Sequence, residues 1–352
     1  MRALYRQVAG LLRQVNFEKI WPGFTVAPFA LYDDQTVWLA DGELPWDQRF
    51  LGSTAIWLDG VATAIWRVPD PQAEDPVLLT AGLVHELFHT YQFRTGETRF
   101  PQDLRLLHDP ETVVDYQAKL AENRVLAAAL RAEEGARAAA YTMRFESYRK
   151  HRYARLGAFS ELEALSETAE GIAEFAGLSA LRQLSPQRYA DRLEEYCGYL
   201  ETLSPLLFDT RRISYYSGAL FCLAMDRAGL PFRHPLGSTQ ETLFALVSRD
   251  LPALPPEQTE LDAGVEAQAA DYFAEKRARF ASFTAQARER TEGDFQIVGY
   301  DPMNMQLQDG ALLCSRFLML RDRRTGVERF VPGPLRAVLQ PDSYDLVSAY
   351  ET

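Results

Sequence analysis

The stretch Ala81-Gly82-Leu83-Val84-His85-Glu86-Leu87-Phe88-His89-Thr90-Tyr91-Gln92-Phe93 decides how this chain is read. Within it stands His85-Glu86-x-x-His89. On a helix, residues four apart share one face, one turn above the other. Two imidazoles so placed can hold a single zinc ion from the same side. Glu86 lies about 100° further round the helix, where its carboxylate can reach a water beside the metal. That is the pattern of a zinc-dependent hydrolase with Glu86 as general base. Leu83, Val84, Leu87 and Phe88 make the helix apolar on most sides, so it is expected to be buried. Buried imidazoles and a carboxylate need partners, because each unpaired polar group costs about 1–3 kcal/mol. The plainer reading of the motif is a helix whose histidines bond to backbone groups.

Moving outward, a β-rich part precedes this helix. Residues 1–16 have helical apolar spacing, and Trp21-Pro22-Gly23 is a turn. Strand-like runs follow at Phe24 to Leu31 and Thr36 to Leu39. Ser53 to Leu58 and Val61 to Trp66 read as a hairpin joined by Asp59-Gly60. The expected result is a small antiparallel sheet packed on the zinc-binding helix. A sheet edge there would suit an extended substrate joining by strand addition.

After Phe93 the chain reads as helical. Residues 110–150 suit one or two long helices, and Phe159 to Leu184 another. Further helices are expected at 186–202, 213–228, 238–249 and 263–288, with a loop at Leu251-Pro252-Ala253-Leu254-Pro255-Pro256. From Asp294 short strand-like runs return, at 295–300, 311–320 and 329–331. The fold class is therefore α+β. Residues 1–290 form the catalytic domain, with a β-rich part at about 20–68 and a helical part at about 77–288. Residues 291–352 form a small β-rich unit.

Composition narrows the function. A net charge of -12 leaves no basic excess for phosphates, which argues against a nucleic-acid partner and an anionic membrane surface. No apolar run reaches the roughly eighteen residues of a membrane span. Arg6 and Arg13 interrupt any secretory core near the N-terminus. The three cysteines, Cys197, Cys222 and Cys314, are widely spaced and form no Cys-x-x-Cys pair. They read as buried small apolar residues, and the protein as cytoplasmic.

A catalytic zinc takes three protein ligands. His108 and His234 read as loop residues, and His151 lies in the basic run Arg149-Lys150-His151-Arg152, which reads as a solvated face. The carboxylate candidates are Glu163, Glu167, Glu170 and Glu174, which share one narrow helical sector. A solvated acidic stripe would look the same, although the intervening positions are small or apolar. Gly171 and Ala173 leave room for another helix to approach.

His85-Glu86-x-x-His89 followed by Glu170-Gly171-x-Ala173 resembles the gluzincin metallopeptidases, the clan of thermolysin and the zinc aminopeptidases. The resemblance implies Glu170 as third zinc ligand, with Glu167 and Glu174 as alternatives. It also implies Glu174, four residues on, as the carboxylate that orients the first histidine. His89 and Glu170 lie further apart than in those enzymes, and a helical insert at about 97–155 accounts for the difference. Ile213-Ser214-Tyr215-Tyr216-Ser217-Gly218 is similar to the Tyr-x-x-Gly segment of the aminopeptidase branch. There the tyrosine hydroxyl stabilises the tetrahedral oxyanion. That spacing selects Tyr215, with Tyr216 as the alternative. Arg211 and Arg212 could take a substrate carboxylate, although adjacent arginines are more often solvated. The Gly-x-Met-Glu-Asn segment that holds a substrate amine in aminopeptidases is missing.

The expectation is a zinc metallopeptidase acting on a peptide or small-protein substrate. Its rivals are a zinc hydrolase of a non-peptide amide or ester, and a non-catalytic binding module that kept the fold.

Overall fold

The computed structural model describes residues 1–133, 135–249, 251, 261–286 and 289–352. Helices α1 (Arg2–Leu12) and α2 (Phe17–Ile20) lead into strands β1 (Phe29–Tyr32), β2 (Thr36–Leu39), β3 (Gly42–Pro45), β4 (Thr54–Leu58) and β5 (Val61–Arg67). Then come α3 (Pro76–Arg94), α4 (Asp103–Leu106), α5 (Val113–Arg131), α6 (Ala136–Leu156) and α7 (Phe159–Ser166). A π-helical turn, Glu167–Gly171, joins α7 to α8 (Ile172–Leu184). Helices α9 (Pro186–Glu201), α10 (Thr210–Ala228), α11 (Leu243–Ser248) and α12 (Gly264–Gln286) follow. The chain closes on β6 (Arg290–Tyr300), β7 (Met305–Gln308), β8 (Ala311–Cys314), β9 (Phe317–Asp322), β10 (Glu328–Pro332), β11 (Leu335–Leu339) and β12 (Leu346–Glu351). The α+β architecture expected from the sequence is present. Of the expected loop at 251–256, only Leu251 is among the described residues, and so is the helix at 263–288 only as far as residue 286.

The N-terminal sheet has the order β3-β2-β1-β5-β4. Asp59 and Gly60 have φ of 48° and 81°, the left-handed pair that a two-residue hairpin turn requires, so β4 and β5 meet as expected. The sheet is not wholly antiparallel: β1 and β5 run parallel, with Phe29 opposite Ala64. The cause is topological. The chain leaves β3 at one edge and returns at the other, so β5 comes alongside β1 in the same direction. The strand expected over Phe24 to Leu31 is shorter, because Phe24 is drawn into a ring cluster against Phe88 and Tyr91 instead.

Helix α3 runs between this sheet and α8. Asp75 caps it by accepting from the Val77 and Leu78 backbone N–H groups at 2.9 and 3.2 Å, and Pro76 sits where a missing N–H costs nothing. Leu83, Val84, Leu87 and Phe88 are fully buried. Each such side chain contributes roughly 1.5–3 kcal/mol. Both neighbours come close because α3 and α8 carry glycines. A Cβ on Gly82 would lie 2.4 Å from the Trp66 ring of β5, and one on Gly177 would lie 2.8 Å from the Ala81 carbonyl oxygen.

The C-terminal strands form one antiparallel sheet in the order β10-β9-β6-β12-β11-β8-β7. It has its own apolar core, built on residues such as Leu318, Leu335 and Val347, against which Leu104 and Leu107 also pack. No described helix is long and apolar enough to cross a membrane.

Candidate metal centre

The two histidines stand on one face of α3, as their spacing requires. Their Nε2 atoms are 3.0 Å apart. The third group arrives from the π-helical turn: Glu170 Oε2 lies 3.2 Å from His89 Nε2 and 3.4 Å from His85 Nε2. His85, His89 and Glu170 are all buried, and they are the one such His/Cys/Asp/Glu grouping among the described residues.

Hydrogen bonds on the far side of each ring fix which nitrogen carries the proton. Gln92 donates its amide nitrogen to the Ala169 carbonyl at 3.2 Å, so its oxygen is the atom that faces His89 Nδ1, at 2.7 Å. An oxygen can only accept, so His89 is protonated at Nδ1. Glu174 Oε2 meets His85 Nδ1 at 2.8 Å, while its Oε1 accepts from the Tyr196 hydroxyl at 2.5 Å. His85 is therefore protonated at Nδ1 as well. With Nε2 free of a proton on each ring, as a bound cation requires, two imidazole lone pairs and a carboxylate oxygen converge on one point. Ligand atoms of tetrahedral zinc, with bonds of about 2.0–2.1 Å, sit roughly 3.3–3.4 Å apart. The three separations here lie at or just under that edge length, and two imidazoles with one carboxylate are a zinc-type donor set. The residues present fit a divalent metal ion.

The electrostatics point the same way. Burial opposes a charged His85, yet the hydrogen bonds that Glu170 and Glu174 accept from it hold its pKa well above the usual histidine value. Burial likewise opposes a charged Glu170, but Arg211 and then His89 hold its carboxyl far below the usual range. A site with that appetite for a proton has the same appetite for a cation.

Glu86 is buried beside the pair, and its carboxylate has no hydrogen bond or ion pair among the described residues. Burial pushes its pKa up, and the two histidines pull it part of the way back. Tyr215, on α10, lays its ring parallel to His85 at 5.5 Å between centroids and 5° between planes. Burial and the Glu170 charge keep its phenol firmly protonated. Tyr216 turns away, against Tyr196 and Tyr199 at 4.7 and 4.9 Å. Of the two tyrosines named by the sequence, Tyr215 is the one beside the histidines.

The four glutamates part company. In a regular α-helix Glu163, Glu167, Glu170 and Glu174 would fall within about 60°. The wider π-helical turn shifts the phase between the first pair and the second. Glu170 and Glu174 face the histidines. Glu163 and Glu167 face Arg152 and Arg149, with Glu122 completing the group. None of this is a solvated acidic stripe. Arg149 and Arg152 are also fully buried, so half of the basic run read as a solvated face is core, and His151 alone of the run's histidine and arginines stays exposed. Arg211 is buried too, donating to Glu170 Oε1 at 2.9 Å, while Arg212 stays exposed and pairs with Asp209. His108 and His234 lie away from the cluster, against Tyr344 and beside Arg99.

Sequence reasoning missed Gln92, Tyr196 and Asp103. Gln92 left a faint signal, since it stands three residues after His89 on the same helical face. Tyr196 and Asp103 left none.

Comparison with protein-family models, with curated proteins and with solved structures gives no match to this chain.

Proposed function

We propose that the chain is a zinc-dependent hydrolase of gluzincin type that cleaves peptide bonds. The observation that carries this reading is the convergence of His85 Nε2, His89 Nε2 and Glu170 Oε2 beside Glu86, a carboxylate with no partner among the described residues. When bound, zinc supplies Lewis acidity, polarising a carbonyl and acidifying water.

The protein residues do the rest. Glu86 takes the proton from the attacking water and passes it to the leaving amine, a role for which its raised pKa suits it. Tyr215, protonated at neutral pH, donates to the oxygen that becomes negative in the tetrahedral transition state. Glu174 and Gln92 hold the two imidazoles in the tautomer that presents Nε2. A cytoplasmic location belongs to the same reading, and three free, buried cysteines, Cys197, Cys222 and Cys314, support it.

The test is zinc content by elemental analysis on the wild type, Glu170→Ala and Glu167→Gln, followed by a peptide-library digest read by mass spectrometry. Equimolar zinc, lost with Glu170→Ala and kept with Glu167→Gln, together with peptide cleavage, supports the reading. No zinc in any sample after reconstitution overturns it. Zinc-dependent cleavage of small amides or esters with no cut peptide overturns the peptidase part alone.

A further inference from the structure

Helix α4 is a single turn, and a single turn does not hold its own place in water. Leu106 packs one side of it on Phe159 and Leu162 of α7, and the C-terminal sheet holds the other. Leu104 and Leu107 pack against that sheet's core. Arg105 lies over the Tyr344 ring at 5.4 Å, and the His108 ring meets the same tyrosine edge-on at 4.9 Å. The first residue of the turn, Asp103, faces the metal site. Its Oδ1 is 2.5 Å from Arg211 Nε, and its Oδ2 accepts from the Tyr300 hydroxyl, at the end of β6, at 3.5 Å. Arg211 Nη2 in turn donates to Glu170 Oε1 at 2.9 Å. The Asp103 and Arg211 side chains keep only 13% and 10% of their surface in water.

We propose that Asp103 is a positioning residue for the metal site, and that the C-terminal sheet braces the Glu170 carboxylate through Tyr300, Asp103 and Arg211. The proposal rests on the reading of His85, His89 and Glu170 as metal ligands. A carboxylate can rotate and offer either oxygen. Arg211 occupies Oε1, which leaves Oε2 facing the imidazoles. A guanidinium so near a bound cation repels it, and Asp103 offsets that charge. Without Asp103 the whole guanidinium charge falls on Glu170 and competes with the metal for the same carboxylate. Lost orientation and lost neutralisation both weaken the metal.

The experiment measures zinc affinity by competition with a chromophoric chelator, on the full chain. The variants are Asp103→Asn, Tyr300→Phe, Arg211→Gln and the double variant Asp103→Asn/Arg211→Gln. Asp103→Asn is expected to raise the zinc Kd about 10-fold or more, the scale on which partners of metal ligands act. It should also shift the visible spectrum of the cobalt-substituted protein, and Asp103→Glu should restore part of the affinity. Tyr300→Phe should raise Kd by less, in the same direction. In the Arg211→Gln background, Asp103→Asn should add nothing, because the effect runs through the arginine. If Asp103→Asn fails to fold, Tyr300→Phe, which removes one hydroxyl, carries the test. Wild-type zinc affinity in both Asp103→Asn and Tyr300→Phe overturns the brace and leaves the metal site standing. An equal loss with and without Arg211 also overturns it. A wild-type chain that takes no zinc overturns both readings.

Discussion

Gly171 and Gly218 meet backbone to backbone. A Cβ built on Gly171 would lie 2.5 Å from the Gly218 Cα, and one built on Gly218 would lie 2.7 Å from the Gly171 Cα. The contact seats α10 on the π-helical turn that carries Glu170. Arg211, Tyr215 and Gly218 stand at i, i+4 and i+7 on α10, along one face, so the place where Gly218 touches sets how near the other two come to the proposed metal ligands. Gly218→Ala is expected to force the helices apart. Overpacking of this kind costs about 1–3 kcal/mol, read as a lower urea midpoint. It should also weaken zinc binding, which a stability loss elsewhere in the fold would not do.

Glu86→Gln keeps the shape of the side chain and removes its basicity. The three donors proposed for the metal do not include it, so zinc content should match the wild type. Peptide turnover should fall about 100- to 10,000-fold, the usual contribution of a positioned base. A Glu86→Gln protein that cleaves at the wild-type rate would remove Glu86 from the chemistry.

Gln92→Ala and Glu174→Ala each take away the acceptor that fixes an imidazole tautomer. Each should lower zinc affinity about 10- to 100-fold, measured by chelator competition. In metal-free protein each should also lower the urea midpoint, because it strands an imidazole N–H and a second buried group, at about 1–3 kcal/mol apiece. Wild-type affinity in both would mean that the tautomers are set some other way.

Arg149 is fully buried between Glu122 and Glu167. Arg149→Ala would strand carboxylates in the core, at a cost of about 3–5 kcal/mol. Equilibrium denaturation should show it directly. Arg149→Met with Glu167→Gln should recover part of that loss, because it neutralises one stranded carboxylate while Glu122 keeps its pairing with Arg152.

The Glu97–Arg99 pair contributes a share of the acid sensitivity. Burial alone would raise the Glu97 pKa, but the Arg99 guanidinium and its backbone N–H, with the Gly237 N–H, hold it at about 2, below its ordinary 4.5. A depressed carboxylate stabilises the fold fully above the unfolded value and loses that contribution as pH falls through the folded one. The stability gap between wild type and Glu97→Gln, followed by urea titration, should therefore be constant above about pH 5 and shrink between 4.5 and about 2. A gap that widens on acidification would contradict the assignment.

Local pattern was enough for much of this molecule. The His85-Glu86-x-x-His89 spacing put two imidazoles on one helical face, apolar flanks buried that helix, and Asp59-Gly60 closed the β4–β5 hairpin, since each depends on residues a few positions apart. The break from helices to the C-terminal strands was legible for the same reason. What no window of sequence holds is the phase change at Glu167–Gly171. A wheel drawn at 3.6 residues per turn stacks four glutamates on one stripe, whereas the π-helical turn gives two to the histidines and two to buried arginines. The burial of Arg149, Arg152 and Arg211, the parallel pairing of β1 with β5, and the meeting of Asp103 with Arg211 depend on segments brought together from far along the chain. Charge alone marks such residues for the surface, and only the partners supplied by packing make their burial affordable.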